Sequence, residues 1–133
     1  ENEVIKSNKI LSKSDADFNL MHCVSSYPCN LENANLPRID WLKSLHKHVG
    51  LSDHTQSTLV PALSVALGVE VIEKHFTIDN NLEGRDNKFA LNPSNFKEMV
   101  DNINNAVLAM EHHGNNFQDS EADTVKNYRG RWG

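Results

Sequence analysis

Two histidines are the residues best placed to do chemistry in this sequence. His54 stands in the segment SDHT and His75 in the segment IEKHF, each at the end of a predicted strand. Neutral imidazoles with oxygen donors suit a divalent transition ion such as Mn, Fe, Co or Zn, and two protein ligands would leave positions open for substrate and water. The alternative is that each histidine is a strand-end residue satisfied by hydrogen bonds. Spacing alone does not decide between the two.

Other polar side chains share the same location, at the carboxyl ends of the predicted strands or in the loops that follow: Ser25, Tyr27, Ser52, Glu73 and Asp86. Reactive groups of parallel α/β proteins collect at this edge of the sheet. Glu73 shares a face with His75 because side chains alternate along a strand, whereas Lys74 points to the other face, where we expect a structural role. The sequence therefore predicts one site built from three strand ends.

The elements that position these residues alternate between helix and strand. Strands are predicted over the apolar run Phe18–Val24, over His48–His54 and over the β-branched segment Val69–Ile78, and helices over residues 1–13, 39–48, 57–67 and 93–110. Pro61 fits the first turn of its helix, and Asn92 is the predicted N-cap of the last one. Repeated βα units predict an α/β fold with a parallel sheet. Three strands cannot cover their own edges, so we expect part of a larger fold.

Composition narrows the class of protein. The chain has 133 residues, a net charge of −5 and 38% hydrophobic residues, which indicates one soluble globular domain without a nucleic-acid or anionic-membrane partner. Its apolar runs all fall short of the roughly 20 residues that span a bilayer. Cys23 and Cys29 lack the C-x-x-C spacing and are interpreted as reduced thiols of a cytoplasmic protein. Because the chain begins with neither a signal peptide nor methionine, we expect it to start inside a longer protein.

Four segments then carry a specific resemblance: LMHCVSSYPCNLENANL, VGLSDHT, ALGVEVIEKHFTID and LEGRDNKFALNPSNFKEMV. In order and spacing they resemble the C-terminal half of the barrel domain in the sialic acid synthase family, which comprises N-acetylneuraminate, legionaminate and pseudaminate synthases. The likeness covers Phe18–Met110. It implies a partial (β/α)8 TIM barrel in which residues 1–113 form strands six to eight with their helices. Residues 114–133 would be a polar tail or the start of a linker to an antifreeze-like domain.

The resemblance implies a reaction. Family members condense phosphoenolpyruvate with the aldehyde of an N-acetylated hexosamine, such as N-acetylmannosamine, giving a nine-carbon 2-keto acid and phosphate. By position, His54 and His75 match the family's metal-binding histidines, and the metal, usually Mn²⁺, would act as a Lewis acid on the aldehyde oxygen. The resemblance also implies a homodimeric parent protein, since the family's antifreeze-like domain supplies an arginine to the partner's site.

The resemblance also assigns roles to the remaining candidates. Ser52 matches a phosphate contact, and Tyr27 and Ser25 match positions that meet phosphoenolpyruvate or the sugar, although many members carry asparagine in place of Ser25. Glu73 is interpreted as an acid that orients metal-bound water, or alternatively as one half of a buried ion pair with a lysine from elsewhere. Asp86 matches the acid of the family's G-P-D-H loop, which faces the sugar and assists proton movement.

That loop departs from the family pattern, since it reads GRDN in this chain. Arg85 stands where the family has proline and Asn87 where it has histidine. Both changes bear on the shape of the loop and on the preference for a sugar.

Two alternatives to an active synthase follow from the same residues. The chain could be a truncated or split-gene product that needs a complementary half and is inactive alone, because the family's phosphate-binding lysines and a further glutamate lie on strands it lacks. It could instead belong to another barrel that condenses phosphoenolpyruvate with an aldose, such as the deoxyoctulosonate synthases. Their metal sites include a cysteine, so that interpretation requires Cys23 to face the metal.

Overall fold

The structure, a computed structural model, describes residues 1–130 and alternates helices with strands along most of the chain. Short 3-10 turns at Leu31–Asn33 and Asp119–Glu121 accompany the main elements. These elements are, in chain order, α1 Asn2–Leu11, β1 Leu20–Cys23, α2 Arg38–Leu45, β2 Val49–Asp53, α3 Val60–Val65, β3 Val71–Lys74, α4 Pro93–Ala109 and α5 Ala122–Tyr128. None of the helices within this described range is long and apolar enough to cross a bilayer.

The three strands form one parallel sheet in the order β1-β2-β3. This confirms the predicted parallel sheet in sequence order. All five residues of the central strand β2 are buried. At the carboxyl end of the sheet, Cys23 pairs with Ser52, and Ser52 pairs in turn with Glu73. The register therefore places Cys23 in one row with two of the predicted site residues, Ser52 and Glu73.

The core lies between the sheet and helix α2. Its buried cluster consists of Leu20 from β1, Val49 from β2, and Ile39 and Leu42 from α2, which lie three residues apart and so share one face of the helix. Full burial of each such side chain stabilises the fold by about 1.5–3 kcal/mol. Phe18 and Trp41 are among the partly buried residues that pack against this cluster. This packing fixes β1 and β2 relative to each other.

Helix α4 begins at Pro93 as the sequence predicts, whereas α3 begins at Val60, three residues after its predicted start. Pro61 lies in the first turn of α3, where its missing N–H costs no helical hydrogen bond. The Asn92 side chain caps α4 by accepting a 3.0 Å hydrogen bond from the Asn95 backbone N–H. The Thr58 hydroxyl donates to Glu98 Oε1 at 3.1 Å and so ties the segment before α3 to α4.

Strand β3 is shorter than predicted, and the tail contains a helix that the sequence did not predict. Strand β3 ends at Lys74 rather than at Ile78, because the chain beyond it turns to the loop before α4: Leu91 N–H donates to the His75 carbonyl, and Thr77 N–H donates to the Leu91 carbonyl. The tail from Gly114 contains α5, which starts after the capping-box turn at Gln118. Residues 131–133 of that tail lie outside the described residues.

Candidate functional site

A cavity of about 850 Å³ lies at the carboxyl ends of the strands and is lined by six of the predicted site residues: Tyr27, Ser52, His54, Glu73, His75 and Asp86. Ser25 is the exception. Its side chain is exposed and its hydroxyl lies 3.7 Å from the Cys23 sulfur, outside the cavity lining. The structure therefore gathers the residues of all three strand ends into one concave surface.

The two histidines lie beside each other in this cavity, as predicted. Their ring centroids are 5.1 Å apart at an interplanar angle of 51°. His54 is only 6% exposed, whereas His75 is more open. The Tyr27 ring lies 4.3 Å from the His54 ring, and the Phe89 ring lies 5.2 Å from the His75 ring. Aromatic rings thus flank both imidazoles and limit their movement.

The hydrogen bond made by His54 defines its tautomer. Its Nδ1 lies 3.1 Å from the Val24 carbonyl oxygen, which can only accept, so Nδ1 carries the hydrogen and donates it. Nε2 is then left with a lone pair, which is the state a metal requires. A backbone carbonyl that holds the second ring nitrogen in this way is a usual support for a metal-binding histidine. The Cys23 sulfur lies 3.8 Å from the same Nδ1.

The histidines are the metal-ligand candidates that the described chain offers. Within residues 1–130, no group of three or more His, Cys, Asp or Glu side chains is arranged to hold a metal ion. A divalent ion at this position would therefore take His54 and His75 from the described chain and complete its coordination with water, substrate or other groups. An ion that accepts several oxygen ligands beside imidazole fits that arrangement.

Glu73 and Ser52 form a hydrogen-bonded pair on the cavity wall. The Ser52 hydroxyl donates to Glu73 Oε1 at 2.7 Å. The hydrogen of the Ser52 hydroxyl is therefore already bonded to the Glu73 carboxylate. To donate it to a substrate phosphate, Ser52 would first have to break this bond. Among the described residues no lysine pairs with Glu73. Glu73 is therefore an acid on the cavity wall, and its alternative role in an ion pair with a lysine from elsewhere stays a prediction.

A buried ion pair lies on the two side chains that follow Ser52 and Glu73 in the sequence. Lys74 Nζ is 2.6 Å from Asp53 Oδ2, and both side chains are only 3% exposed. Burial lowers the pKa of Lys74, and the hydrogen bond and charge of Asp53 oppose that shift. The structural role predicted for Lys74 is confirmed by these contacts.

The loop after β3 brings Asp86 to the mouth of the cavity. Asp86 Oδ2 lies 3.7 Å from His75 Nδ1, which is too long for a direct hydrogen bond, and its side chain is 62% exposed. Asn87 shapes the loop by donating to the carbonyl oxygens of Glu83 at 2.7 Å and of Leu82 at 3.4 Å. Gly84, in the left-handed region at φ +134°, leaves room for that amide. Asn87 therefore gives the loop its own internal support.

Six further cavity-lining residues were missed by the sequence reasoning: Cys23, Pro28, Gln56, Arg85, Lys88 and Phe89. Arg85 and Lys88 flank Asp86 in the sequence, which was a usable signal for cationic groups at the cavity mouth. Cys23 could be placed only through its register with Ser52, which one strand by itself does not reveal.

Comparison with known proteins adds independent evidence. A model of the NeuB family matches residues 1–115. The chain is 50% identical over 103 residues to an uncharacterized protein of Methanocaldococcus jannaschii, a match that covers 76% of this chain and 31% of that protein. It is 39% identical over 129 residues to a pseudaminic acid synthase of Campylobacter jejuni, covering 96% of this chain and 37% of the synthase. It thus spans about a third of the length of these curated relatives.

A solved structure extends the likeness to three dimensions. The N-acetylneuraminic acid (sialic acid) synthetase of Leptospira borgpetersenii superposes with a TM-score of 0.83 at 36% identity, covering 94% of this chain and 44% of that one. Together with the parallel sheet, this match confirms the predicted fold class, an α/β fold made of three βα units of a (β/α)8 barrel.

Proposed function

This chain belongs to the NeuB family, and on that premise we propose that it forms the histidine-bearing part of the active site of a sialic-acid-type synthase. The observation that carries the proposal is the pair His54 and His75, side by side in a cavity at the carboxyl ends of parallel strands. Relatives that match this chain are named pseudaminic acid synthase and N,N'-diacetyllegionaminic acid synthase. Their names support the same class of reaction.

The proposed reaction joins phosphoenolpyruvate to an N-acetylated hexosamine such as N-acetylmannosamine. A carbon–carbon bond forms between C3 of phosphoenolpyruvate and the aldehyde carbon, water adds at C2, and phosphate leaves. The products are a nine-carbon 2-keto sugar acid and phosphate. Arg85 and Lys88 at the cavity mouth fit anionic reactants, because neither has a carboxylate partner within ion-pair distance among residues 1–130.

We propose Mn²⁺ as the metal, held by His54 and His75. The fit rests on the His54 tautomer, which leaves Nε2 free to bind, and on the closeness of the two rings. A divalent ion bound there would supply a Lewis acid for the aldehyde oxygen. Tyr27 packs against His54 and covers one side of its ring, which helps to exclude water from that side.

The carboxylates have distinct proposed roles. Glu73, oriented by its bond from Ser52, is placed to hold a water molecule or a sugar hydroxyl in the cavity. Asp86, which is exposed beside His75, is placed to hold or move a proton on the sugar. Ser25 lies off the cavity wall, so a contact with substrate would need a change of its position.

Two broader features are part of the proposal. Cys23 and Cys29 are both free, which fits the reducing conditions of a cytoplasmic protein. A homodimeric parent protein follows from the resemblance to the family, whose members place an arginine of one subunit in the site of the other.

The deoxyoctulosonate-type alternative receives less support from the geometry. Cys23 does line the cavity, as that alternative requires. Its sulfur, however, contacts His54 at Nδ1, the nitrogen that donates to the Val24 carbonyl and so would not bind a metal.

The test is an assay of phosphate release from phosphoenolpyruvate, N-acetylmannosamine and Mn²⁺. We expect no turnover by the 133 residues alone, because strands β1 and β3 are open edges within the described chain. Phosphoenolpyruvate also carries close to three negative charges, and the family's phosphate-binding lysines lie on the other strands of the barrel. Joined to the remaining strands of the barrel, the chain should turn over. Substantial turnover by the isolated chain would contradict the need for those strands.

In the joined protein, His54→Ala and His75→Ala should each lower kcat/KM by about 100-fold or more, since a Lewis acid contributes several kcal/mol to the transition state. His48→Ala is the matched control, because His48 lies at the other end of β2 and pairs with Glu70. Full activity of either site variant would refute the metal site.

A further inference from the structure

An ion pair joins the two residues that directly precede the two histidines. Asp53 and Lys74 are register partners at the last pair of residues where β2 and β3 are hydrogen-bonded, and their charged atoms lie 2.6 Å apart in the interior. His54 follows the first and His75 follows the second. The pair therefore connects the ends of β2 and β3, directly before the histidine that follows each strand.

The pair also holds the loop that carries His54. Lys74 Nζ donates to the backbone carbonyls of Thr55 and Ser57 as well as to Asp53. Asp53 accepts from the Thr55 backbone N–H at 2.9 Å and from the Thr55 hydroxyl at 3.1 Å. Bonds from both partners thus converge on residues 55–57, on the far side of His54. His54 is held between two fixed points.

Neither charged residue reaches the cavity itself. His54 and His75 line the cavity, whereas Asp53 and Lys74 do not. Because neighbouring side chains of a strand alternate, the ion pair occupies the opposite face from the preceding cavity residues Ser52 and Glu73. Asp53 and Lys74 therefore act on a ligand in the cavity through the residues that they hold in place, His54 and His75 among them.

We propose that the Asp53–Lys74 pair is a positioning device that sets the separation and orientation of His54 and His75 for metal binding. This inference rests on the proposed function. A buried ion pair is weak evidence for stability, since an apolar pair of similar volume often stabilises a fold as well. An ion pair is directional, whereas an apolar pair is not. The Lys74 ammonium group donates to several fixed oxygens, and these bonds restrict the loop to one conformation. Lys74 and Asp53 are positioning residues for the histidines.

The experiment compares two double variants of the full chain, joined to the remaining barrel strands as above. Asp53→Leu with Lys74→Met replaces the buried pair by apolar side chains. Asp101→Leu with Lys97→Met makes the same changes at an exposed ion pair of α4, remote from the cavity, and serves as the control. Thermal unfolding checks that each variant folds. Mn²⁺ affinity is measured by electron paramagnetic resonance titration.

A second readout needs no metal. Histidine-selective NMR of the metal-free protein reports the His54 tautomer and the nuclear Overhauser effects between the rings of His54 and His75. We expect the buried double variant to bind Mn²⁺ about 10–100-fold more weakly, which is the usual cost of removing a residue that orients a metal ligand. It should also lose the nuclear Overhauser effect between the two rings, called here the ring-to-ring effect. The control should match the wild type in both measurements.

The outcomes separate the inference from the proposed function. If the wild type fails to bind Mn²⁺, the metal site is refuted, and the ring-to-ring effect still tests the positioning. Wild-type affinity and an intact ring-to-ring effect in the buried double variant would overturn the inference. Should that variant fail to fold, Asp53→Asn keeps the shape of the side chain and removes its charge. We then expect a several-fold loss of Mn²⁺ affinity, and unchanged affinity would overturn the inference.

Discussion

At the scale of single residues, the two cysteines differ sharply although they are close in sequence. Cys23 lines the cavity beside His54, whereas Cys29 is buried and its thiol donates to the Asn30 carbonyl. Burial raises the pKa of the Cys29 thiol above its ordinary value of 9.0, and the negative charge of Asp53 adds to the rise. The folded protein therefore holds the Cys29 proton more firmly than the unfolded chain does.

This difference predicts a loss of stability in alkali. Above pH 9.0 the unfolded chain releases the Cys29 proton while the folded protein keeps it. The contribution of the protonated Cys29 thiol to the free energy of unfolding is therefore fully present below pH 9.0 and is lost as pH rises towards the raised pKa. Urea unfolding from pH ~8 to ~10 should show a smaller fall in the free energy of unfolding for Cys29→Ala than for the wild type. Parallel curves for Cys29→Ala and the wild type would contradict the prediction.

At the scale of elements, the start of α4 is fixed by one side chain. Asn92 precedes Pro93 in extended conformation, and its Oδ1 accepts from the Asn95 N–H and from the Ser94 hydroxyl. Helix α4 packs on the α3 region through the contact between Thr58 and Glu98, and its N-terminus follows directly from Leu91, which pairs with the chain around His75. The cap therefore supports the end of the loop that closes the cavity.

We expect Asn92→Ala to lower the free energy of unfolding by about 0.5–2 kcal/mol, because one backbone N–H at the helix start loses its partner. Chemical denaturation measures the change. Asn104→Ala is the matched control, since Asn104 is exposed within α4 and alanine is a good helix former, so its stability should be unchanged or slightly raised. Equal stability of Asn92→Ala and the wild type would show that the cap contributes nothing.

At the scale of the whole molecule, the sheet is open on both sides. Strands β1 and β3 have no further strand beside them within residues 1–130, and Val71 on β3 is 43% exposed. Large apolar side chains are also exposed elsewhere, including Leu31, Ile78 and Leu108. Open edges and exposed apolar side chains favour association between chains.

The isolated 133-residue chain should therefore self-associate. Sedimentation velocity at increasing protein concentration should show a rising average mass. Val71→Lys places a charge on the β3 edge and should shift the distribution towards monomer, whereas Val107→Lys, on the exposed surface of α4, should change it less. A single monomeric species at all concentrations would contradict the expectation.

The sequence by itself determined the features that depend on local signals. The alternation of helix and strand, the place of Pro61 in α3 and the cap at Asn92 follow from periodicity and from the backbone preferences of single residues. The closeness of His54 and His75 was also predictable, because residues at the ends of adjacent parallel strands must share one edge of the sheet.

Only the tertiary structure decided which side chains meet across that edge. Register places Cys23 beside Ser52 and pairs Asp53 with Lys74, and the path of the loop after β1 leaves Ser25 outside the cavity. β3 ends early because its chain turns to Leu91, far along the sequence. These outcomes depend on contacts between residues that are distant in sequence. Local propensity cannot predict such contacts, because it depends on a few neighbouring residues. Register and loop path are set instead by the packing of the whole sheet.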